Sequence, residues 1–173
     1  MNTAETKPHA TTISPYGRLV SMPIHSENIF HFPAGIPAFE NVKQFLFVMR
    51  PATQPFVFMQ ALEPADLSFV CIDPFLVYPG YNPRISEADA SFLHVEKPED
   101  FILFSIVTVH KDARNTTCNL QAPIAINLQA CVGKQVICEN QNFPIRHRIW
   151  DALSRQDDAE PNVVLEGAVA AAL

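Results

Sequence analysis

Histidine, cysteine and carboxylate side chains are the residues of this sequence that could carry catalysis or bind a metal. Such residues at short spacings, or in a local motif, usually indicate a metal site or a nucleophile with its base. The four cysteines form no CxxC pair, no serine lies in a GxSxG motif, and histidines such as His31, His94, His110 and His147 are dispersed. Unless strands bring distant residues together, the spacing nominates no catalytic or metal-binding group, and no cofactor is expected.

Glycine spacing argues against nucleotide chemistry as well. A loop that cradles phosphate needs clustered glycines ahead of a helix. The five glycines here are far apart in the chain: Gly17, Gly35, Gly80, Gly133 and Gly167. Cysteines inside apolar runs, such as Cys71 in "FVCID" and Cys138 in "QVICE", are predicted to be inert core residues.

Cysteine usage and the N-terminal residues indicate a cytoplasmic protein. The start "MNTAETKPHATT" lacks the apolar core of a signal peptide, and the cysteine spacing is not that of a disulfide framework. The longest apolar run, from Phe101 to Val109, is too short for a membrane helix, which needs roughly 20 residues. We therefore expect no membrane contact.

The charge balance limits the class of partner. The formal net charge is −6 and the isoelectric point is about 5.4. Such a chain repels phosphate backbones, so direct nucleic-acid binding is not expected. The acidic balance fits either a protein without a charged partner or one with a basic protein partner.

Composition and patterning predict a mainly β fold. Hydrophobic residues make up 48% of the 173 residues, proline occurs 15 times and glycine 5 times. Prolines suit strand starts, edges and turns. Short β-branched and aromatic runs recur between turn signals: "RLVSMPI", "NIFHF", "QFLFVMR", "FVFMQAL", "SFVCID", "FILFSIVTVH", "APIAINLQAC" and "KQVICE". We predict a compact antiparallel β-barrel-like domain with one or two short helices.

Individual strands carry more specific expectations. Apolar residues on both faces of "FILFSIVTVH" predict a central, covered strand. The alternation of Ile124, Ile126 and Leu128 with polar positions predicts a strand with one solvated face. Val132 and Gly133 are predicted to form the tight turn between the last two strands.

Helix signals are few. Ser86 followed by Asp89 predicts a capped helix start, and "IRHRIWDALSRQ" predicts a second helix. We divide the chain into a disordered tail over residues 1–12, the β domain over 13–150 and an extension over 151–173.

Two proline-rich segments are candidates for binding. In "HFPAGIPAFE" the residues His31, Pro33, Gly35 and Pro37 are predicted to form a rigid corner, with partner contact as a secondary role. In "DPFLVYPGY" three large aromatic residues cluster in what we interpret as a loop, where complete burial is difficult. Core packing remains the alternative for that second cluster.

Five segments in this order resemble the FliW family of flagellar assembly factors: "HFPAGIPAFE", "DPFLVYPGY", "LQAPIAIN", "GKQVI" and "FPIRH". The resemblance extends from about Tyr16 to His147. Three positions depart from the family pattern. Ala38 replaces the usual glycine, Asp73 replaces the usual asparagine, and Gly80 stands where an acidic residue is common.

The resemblance implies a non-enzymatic, monomeric binding protein without a cofactor. Family members bind flagellin and the small RNA-binding repressor CsrA in mutual exclusion, so this chain is expected to bind the flagellin C-terminal region and CsrA. The residues assigned to partner contact are Asp73, Phe75, Tyr78, Tyr81, Asn119 and Asn127. Two alternatives stay open: a flagellin-only chaperone, and a β-barrel enzyme or small-molecule binder with a cavity holding His31, Asp73 or Asn119. The weakly apolar end of the chain, from Gln156 to Leu173, is interpreted as a frayed end or as a competitor for the flagellin site.

Overall fold

Short strands and shorter helices make up the fold. The computed structural model describes residues 10–13, 19–22, 29–97, 100–139 and 142–154. The strands are β1 (Ala10–Ile13), β2 (Leu19–Met22), β3 (Phe30–His31), β4 (Gln44–Met49), β5 (Val57–Ala61), β6 (Ser68–Ile72), β7 (Phe101–Thr108), β8 (Thr117–Cys118), β9 (Ile124–Asn127), β10 (Val132–Gln135) and β11 (His147–Arg148). The helices are α1 (Pro74–Val77), α2 (Glu87–Phe92) and α3 (Trp150–Leu153), with 3-10 turns at Pro51–Thr53 and Ala113–Asn115.

Seven strands close into a barrel. Strands β3 to β7 form an antiparallel meander, β7 also pairs with β9, and β9 forms a hairpin with β10. The barrel closes where β10 pairs with β3, at Val132 and His31. This last pairing is parallel, a detail that the alternation pattern did not predict. The predicted barrel-like β fold is confirmed, and β8 and β11 extend it from the end of β7.

Aromatic side chains fill the barrel interior. Phe30, Phe32, Phe45, Phe47 and Phe104 are each at most 2% exposed. Their rings meet at centroid distances near 5 Å, such as 5.2 Å for Phe30 with Phe47 and 5.0 Å for Phe32 with Phe45. Edge-to-face ring pairs of this kind add to the stabilisation from area burial. The interior is therefore a packed core.

A second apolar cluster covers the outer face of the barrel. Strand β7 contributes Phe104 to the interior and Leu103 to the outer cluster, which confirms the predicted two-sided strand. The prediction of a half-solvated β9 is wrong, because all four of its residues are buried. Ile124 and Ile126 face the interior, whereas Ala125 joins the outer cluster.

The turn between β9 and β10 begins four residues earlier than predicted and ends before Val132. Residues 128–131 form the turn, and the Asn127 side-chain oxygen accepts hydrogen bonds from the N–H groups of Gln129 (3.0 Å) and Ala130 (3.1 Å). Gly133 instead lies within β10, opposite Ile126. A Cβ added there would come within 2.3 Å of the Phe32 ring. The glycine is needed for this close approach and not for the turn.

The helices differ from prediction in number and extent. Helix α2 begins as predicted, with the Ser86 hydroxyl accepting from the Asp89 N–H at 3.0 Å. The second predicted helix is reduced to α3, because residues 147–148 pair with β8 as a strand. Helix α1 occupies the segment interpreted as a loop. Within the described ranges no helix is long and apolar enough to cross a membrane.

The described residues cover only part of the predicted tail and of the predicted C-terminal extension. Strand β1 begins at Ala10 and pairs with β2, within the tail predicted to be disordered. Residues 1–9 lie outside the described residues, as do 155–173, which include most of the predicted C-terminal extension. Helix α3 crosses the proposed limit at residue 150.

Candidate protein-docking site

Helix α1 is a single turn whose start is fixed by its own sequence. The Asp73 carboxylate accepts a hydrogen bond from the Phe75 N–H at 2.8 Å, and Pro74 takes the first helical position. Proline suits that position because its missing N–H would have no partner inside the helix. The Tyr78 N–H then donates to the Pro74 carbonyl at 3.0 Å. This geometry holds the Phe75 ring at the surface, 55% exposed.

Burial affects the charge of Asp73. Loss of water raises the pKa of this carboxyl above its usual value, and the hydrogen bond from the Phe75 N–H acts in the opposite direction. The folded protein therefore binds a proton on Asp73 at a higher pH than the unfolded chain does. The free energy of unfolding therefore falls as the pH rises from the unfolded-state pKa of Asp73 through its folded-state pKa.

We predict that Asp73→Asn increases stability at neutral pH. The amide oxygen can still accept from the Phe75 N–H, and no charge is buried. The gain should disappear as the pH falls to the unfolded carboxyl pKa of about 3.9, where the native side chain is also neutral. Urea unfolding between about pH 3 and pH 7 measures this. Asp73→Ala, which lacks the acceptor, should be about 1 kcal/mol less stable than Asp73→Asn at every pH. A less stable Asn variant at pH 7 would contradict the assignment.

Tyr81 belongs to the core. Its side chain is 4% exposed, and its hydroxyl donates to the Leu120 carbonyl at 2.7 Å, close to the Cys138 sulfur at 3.6 Å. Burial raises the pKa of this phenol. The partner contact predicted for Tyr81 is corrected to support of its neighbours, because the ring packs against Phe75 at 5.5 Å and Phe143 at 4.8 Å.

Tyr78 connects α1 to the last strand. Its half-buried ring contacts the His147 imidazole edge-on, with centroids 5.2 Å apart. The His147 Nε2 atom lies 3.0 Å from the Val77 carbonyl oxygen. These two contacts bring the end of α1 beside β11, although the two segments are about seventy residues apart in sequence.

An open groove lies between α1 and α3. Its volume is about 650 Å³. The lining residues are Leu76, Val77, Tyr78, Pro79, Pro144, Arg146, His147, Arg148, Asp151 and Ala152. We call it the α1–α3 groove. Apolar groups come from α1, and two arginines come from β11 and the residue before it. This combination of apolar and charged lining suits an amphipathic peptide.

Large apolar side chains stand exposed close to the groove in sequence. Trp150, at the start of α3, is 43% exposed, and Ile145 is 66% exposed. Ile145, Trp150 and Phe75 are each adjacent in sequence to a residue that lines the groove. Aromatic and arginine side chains are the commonest anchors at protein interfaces. Trp150, Arg146 and Arg148 were not predicted as site residues, although their closeness within "IRHRIW" is a signal that could have indicated them.

The two asparagines predicted to contact partners stabilise turns. Asn119 accepts from the N–H groups of Gln121 (3.1 Å) and Ala122 (3.0 Å). Asn127 is 4% exposed and donates to the Leu93 carbonyl at 3.0 Å, in addition to capping its own turn. Its burial corrects the prediction of direct partner contact. Neither asparagine lines the groove.

The segment from His31 to Glu40 forms two consecutive turns away from the groove lining. Gly35 has φ +69°, and a Cβ there would lie 2.5 Å from the Glu40 carbonyl oxygen. Pro37 and Ala38 complete the second turn, closed by the Phe39 N–H donating to the Ile36 carbonyl at 2.7 Å.

Two further details explain the corner. Ala38 has φ +71°, a left-handed conformation that glycine adopts most easily. Glu40 accepts from its own N–H and that of Ala38, and these bonds lower the pKa of its carboxyl. His31 and Pro33 are exposed, and the His31 N–H donates to the Cys131 carbonyl at 2.8 Å.

Among the described residues, the groups that could support catalysis do not converge. His31 is exposed at the corner, Asp73 caps α1 and Asn119 caps a turn, so the barrel interior holds none of them. Burial raises the pKa of Cys71 and of Cys118 to about 12, which keeps both as neutral thiols. In the part of the chain that the structure describes, no three His, Cys, Asp or Glu side chains are placed to hold a metal ion.

Known proteins are similar to this chain in sequence and in fold. A family model described as "FliW protein" matches residues 16–149. Flagellar assembly factor FliW of Moorella thermoacetica is 33% identical over 146 residues, covering 84% of this chain and 92% of that protein. The Geobacillus kaustophilus factor is 38% identical over 127 residues, covering 73% and 88%. A crystal structure of the flagellar assembly factor FliW superposes with a TM-score of 0.74 at 34% identity, covering 82% of this chain and 96% of that one. The chain belongs to the FliW family.

Proposed function

We propose that this protein is a flagellar assembly factor that works by binding proteins. In this proposal it binds flagellin and, when free of flagellin, binds and antagonises CsrA, so that flagellin synthesis follows flagellin export. The observation that carries the proposal is the family match over residues 16–149, together with relatives named as flagellar assembly factors. The packed barrel interior supports binding at the surface rather than chemistry inside the barrel.

The α1–α3 groove is the surface we assign to flagellin. A terminal amphipathic helix places its apolar face in an apolar groove and its polar face toward the rim. Leu76, Val77 and Tyr78 offer the apolar contacts, and Arg146 and Arg148 offer the polar ones. The exposed Phe75 ring, held by the Asp73 cap and by Tyr81 behind it, is the proposed anchor.

We predict that Phe75→Ala weakens binding of the flagellin C-terminal region by more than about 1 kcal/mol, roughly fivefold in Kd, because an interface anchor is lost. Calorimetric titration measures the change. Phe39→Ala is the matched control, since it removes a partly exposed ring from the corner, whereas Phe75 precedes the lining residue Leu76 in α1. Equal losses for the two variants, or a loss matched by a fall in thermal stability, would contradict the anchor assignment.

Charge is expected to act mainly on CsrA association. An RNA-binding partner carries positive charge, and this chain has a net charge of −6. Opposite net charges accelerate encounter, and salt screens that attraction. We predict that the association rate falls as salt rises while the dissociation rate changes less. Stopped-flow measurements across ionic strengths test this, and an association rate independent of salt would remove the electrostatic contribution.

Affinity purification from the native cytoplasm, with the bound proteins identified by mass spectrometry, tests the proposal as a whole. Recovery of both flagellin and CsrA, in separate complexes, is the expected result. Flagellin without CsrA would favour the flagellin-only chaperone. Recovery of neither flagellin nor CsrA would overturn the proposed function.

A further inference from the structure

The α1–α3 groove has unpaired positive charge in an acidic protein. Arg146 and Arg148 are both exposed. The ion pairs among the described residues are Asp112 with Arg114 and Asp89 with Lys134, so neither groove arginine has a carboxylate partner there. Arg148 donates to the Asn115 amide oxygen, a neutral group that leaves its charge uncompensated. Among the described residues that line the groove, Asp151 alone carries a carboxylate.

The chain beyond α3 has the complementary chemistry. Asp157, Asp158 and Glu160 follow within seven residues of the end of α3, and Val163 to Leu165 form an apolar run after Pro161. Acidic groups followed by apolar groups match a groove with arginines at one side and an apolar α1 surface at the other. The matching segment belongs to the same molecule.

The starting point of that segment favours binding within one molecule. Asp151 and Ala152 of α3 line the groove, so the chain leaves α3 at the edge of the groove. The four residue-to-residue steps from Ser154 to Asp158 can span at most about 14 Å in extended form. A short tether gives a weak ligand an effective concentration in the millimolar range. Exposed ion pairs are individually weak. The effective concentration that the tether provides therefore determines whether the segment occupies the groove or leaves it.

We propose that residues 157–165 bind in the α1–α3 groove of their own molecule. The carboxylates of Asp157, Asp158 and Glu160 pair with Arg146 and Arg148, and the apolar run packs on the α1 side. The contact is reversible and sensitive to salt. One consequence rests on the proposed function: flagellin has to displace this segment, which lowers the apparent flagellin affinity. The docking itself does not depend on any partner.

Backbone relaxation of the ¹⁵N-labelled full chain tests the docking. Rigid backbone has order parameters near 0.85, and flexible backbone falls below about 0.6. We expect residues 157–165 to exceed about 0.7 at about 0.1 M salt and to fall below about 0.6 at about 1 M salt, where the screening length shrinks from roughly 10 Å to 3 Å. Values below about 0.6 already at low salt would overturn the proposal.

Charge variants locate the contact. Arg146→Gln/Arg148→Gln should release the segment, whereas Lys97→Gln/Lys111→Gln removes the same net charge from exposed positions outside the groove lining and should leave it ordered. Equal responses to both pairs would overturn the groove as the site. Order that increases with protein concentration would show binding between copies and overturn the intramolecular form.

A partner titration separates this inference from the proposed function. Asp157→Asn/Asp158→Asn/Glu160→Gln should tighten binding of the flagellin C-terminal region severalfold. Ordered residues 157–165 with unchanged flagellin affinity would retain the docking and overturn the competition. If neither the native chain nor this triple variant binds flagellin, the proposed function is overturned. The relaxation result alone then decides whether residues 157–165 dock in the groove.

Discussion

Replacing Tyr81 by alanine is expected to lower the free energy of unfolding by about 3 to 5 kcal/mol, the range for removing a large buried aromatic side chain. The ring is 4% exposed and packs between Phe75 and Phe143. Its removal also takes the hydroxyl donor at 2.7 Å away from the buried Leu120 carbonyl, which keeps the weaker Cys138 thiol donor at 3.7 Å. Urea denaturation monitored by circular dichroism measures the loss.

Tyr81→Phe separates the hydroxyl from the ring. This variant retains the packing and loses one buried hydrogen bond, so it should cost about 1 to 3 kcal/mol. If the alanine variant instead keeps its stability and loses only partner binding, Tyr81 is an interface residue and its assignment to the core is wrong. In that outcome the tyrosine-to-phenylalanine change would leave the unfolding midpoint unchanged.

Replacing Gly133 by alanine is the second change with a large expected effect. The new methyl group would lie 2.3 Å from the Phe32 ring, inside the aromatic core of the barrel. Overpacking of this kind costs about 1 to 3 kcal/mol, and the Phe32 ring has little room because Phe45 contacts it at 5.0 Å. Thermal unfolding should begin well below that of the native chain.

A double-mutant cycle tests whether the clash with Phe32 is the cause. Combining Gly133→Ala with Phe32→Leu should cost less than the sum of the two single changes, because the smaller side chain makes room for the methyl group. Gly133 is not among the glycines with positive φ, so the clash with the Phe32 ring, and not left-handed backbone strain, is the expected cost. Additive costs in the cycle would contradict the steric explanation.

Strand positions were predictable because alternation and β-branched content are local properties of a sequence. The eight predicted runs each overlap a strand of the fold. The shift at β10 has a physical cause: glycine permits either a turn or a close approach, and the approaching Phe32 is about a hundred residues away. Helix α1 had a visible signal in Asp73 followed by Pro74, which the nearby prolines obscured.

Only the part of the candidate site that one short segment forms, from Asp73 to Tyr81, could be predicted from the sequence. The aromatic residues after Asp73 indicated a surface, and Phe75 is indeed exposed. Which aromatic residue is buried depends on Leu120, Cys138 and Phe143, which approach Tyr81 only in the folded barrel. The groove forms only where α1 and α3 lie side by side, and no local sequence pattern indicates that these two helices are neighbours.

The parallel pairing of β3 with β10 has a consequence for synthesis on the ribosome. Strands β3 to β7 are made first and can pair as an open sheet, with unpaired backbone groups along β3 and β7. Such edges recruit strands from other chains. The β7 edge can be covered earlier, because its partners β8 and β9 precede Val132 in the chain. The β3 edge stays open in every nascent chain that ends before Val132, and it is covered only when β10 pairs with it and closes the barrel.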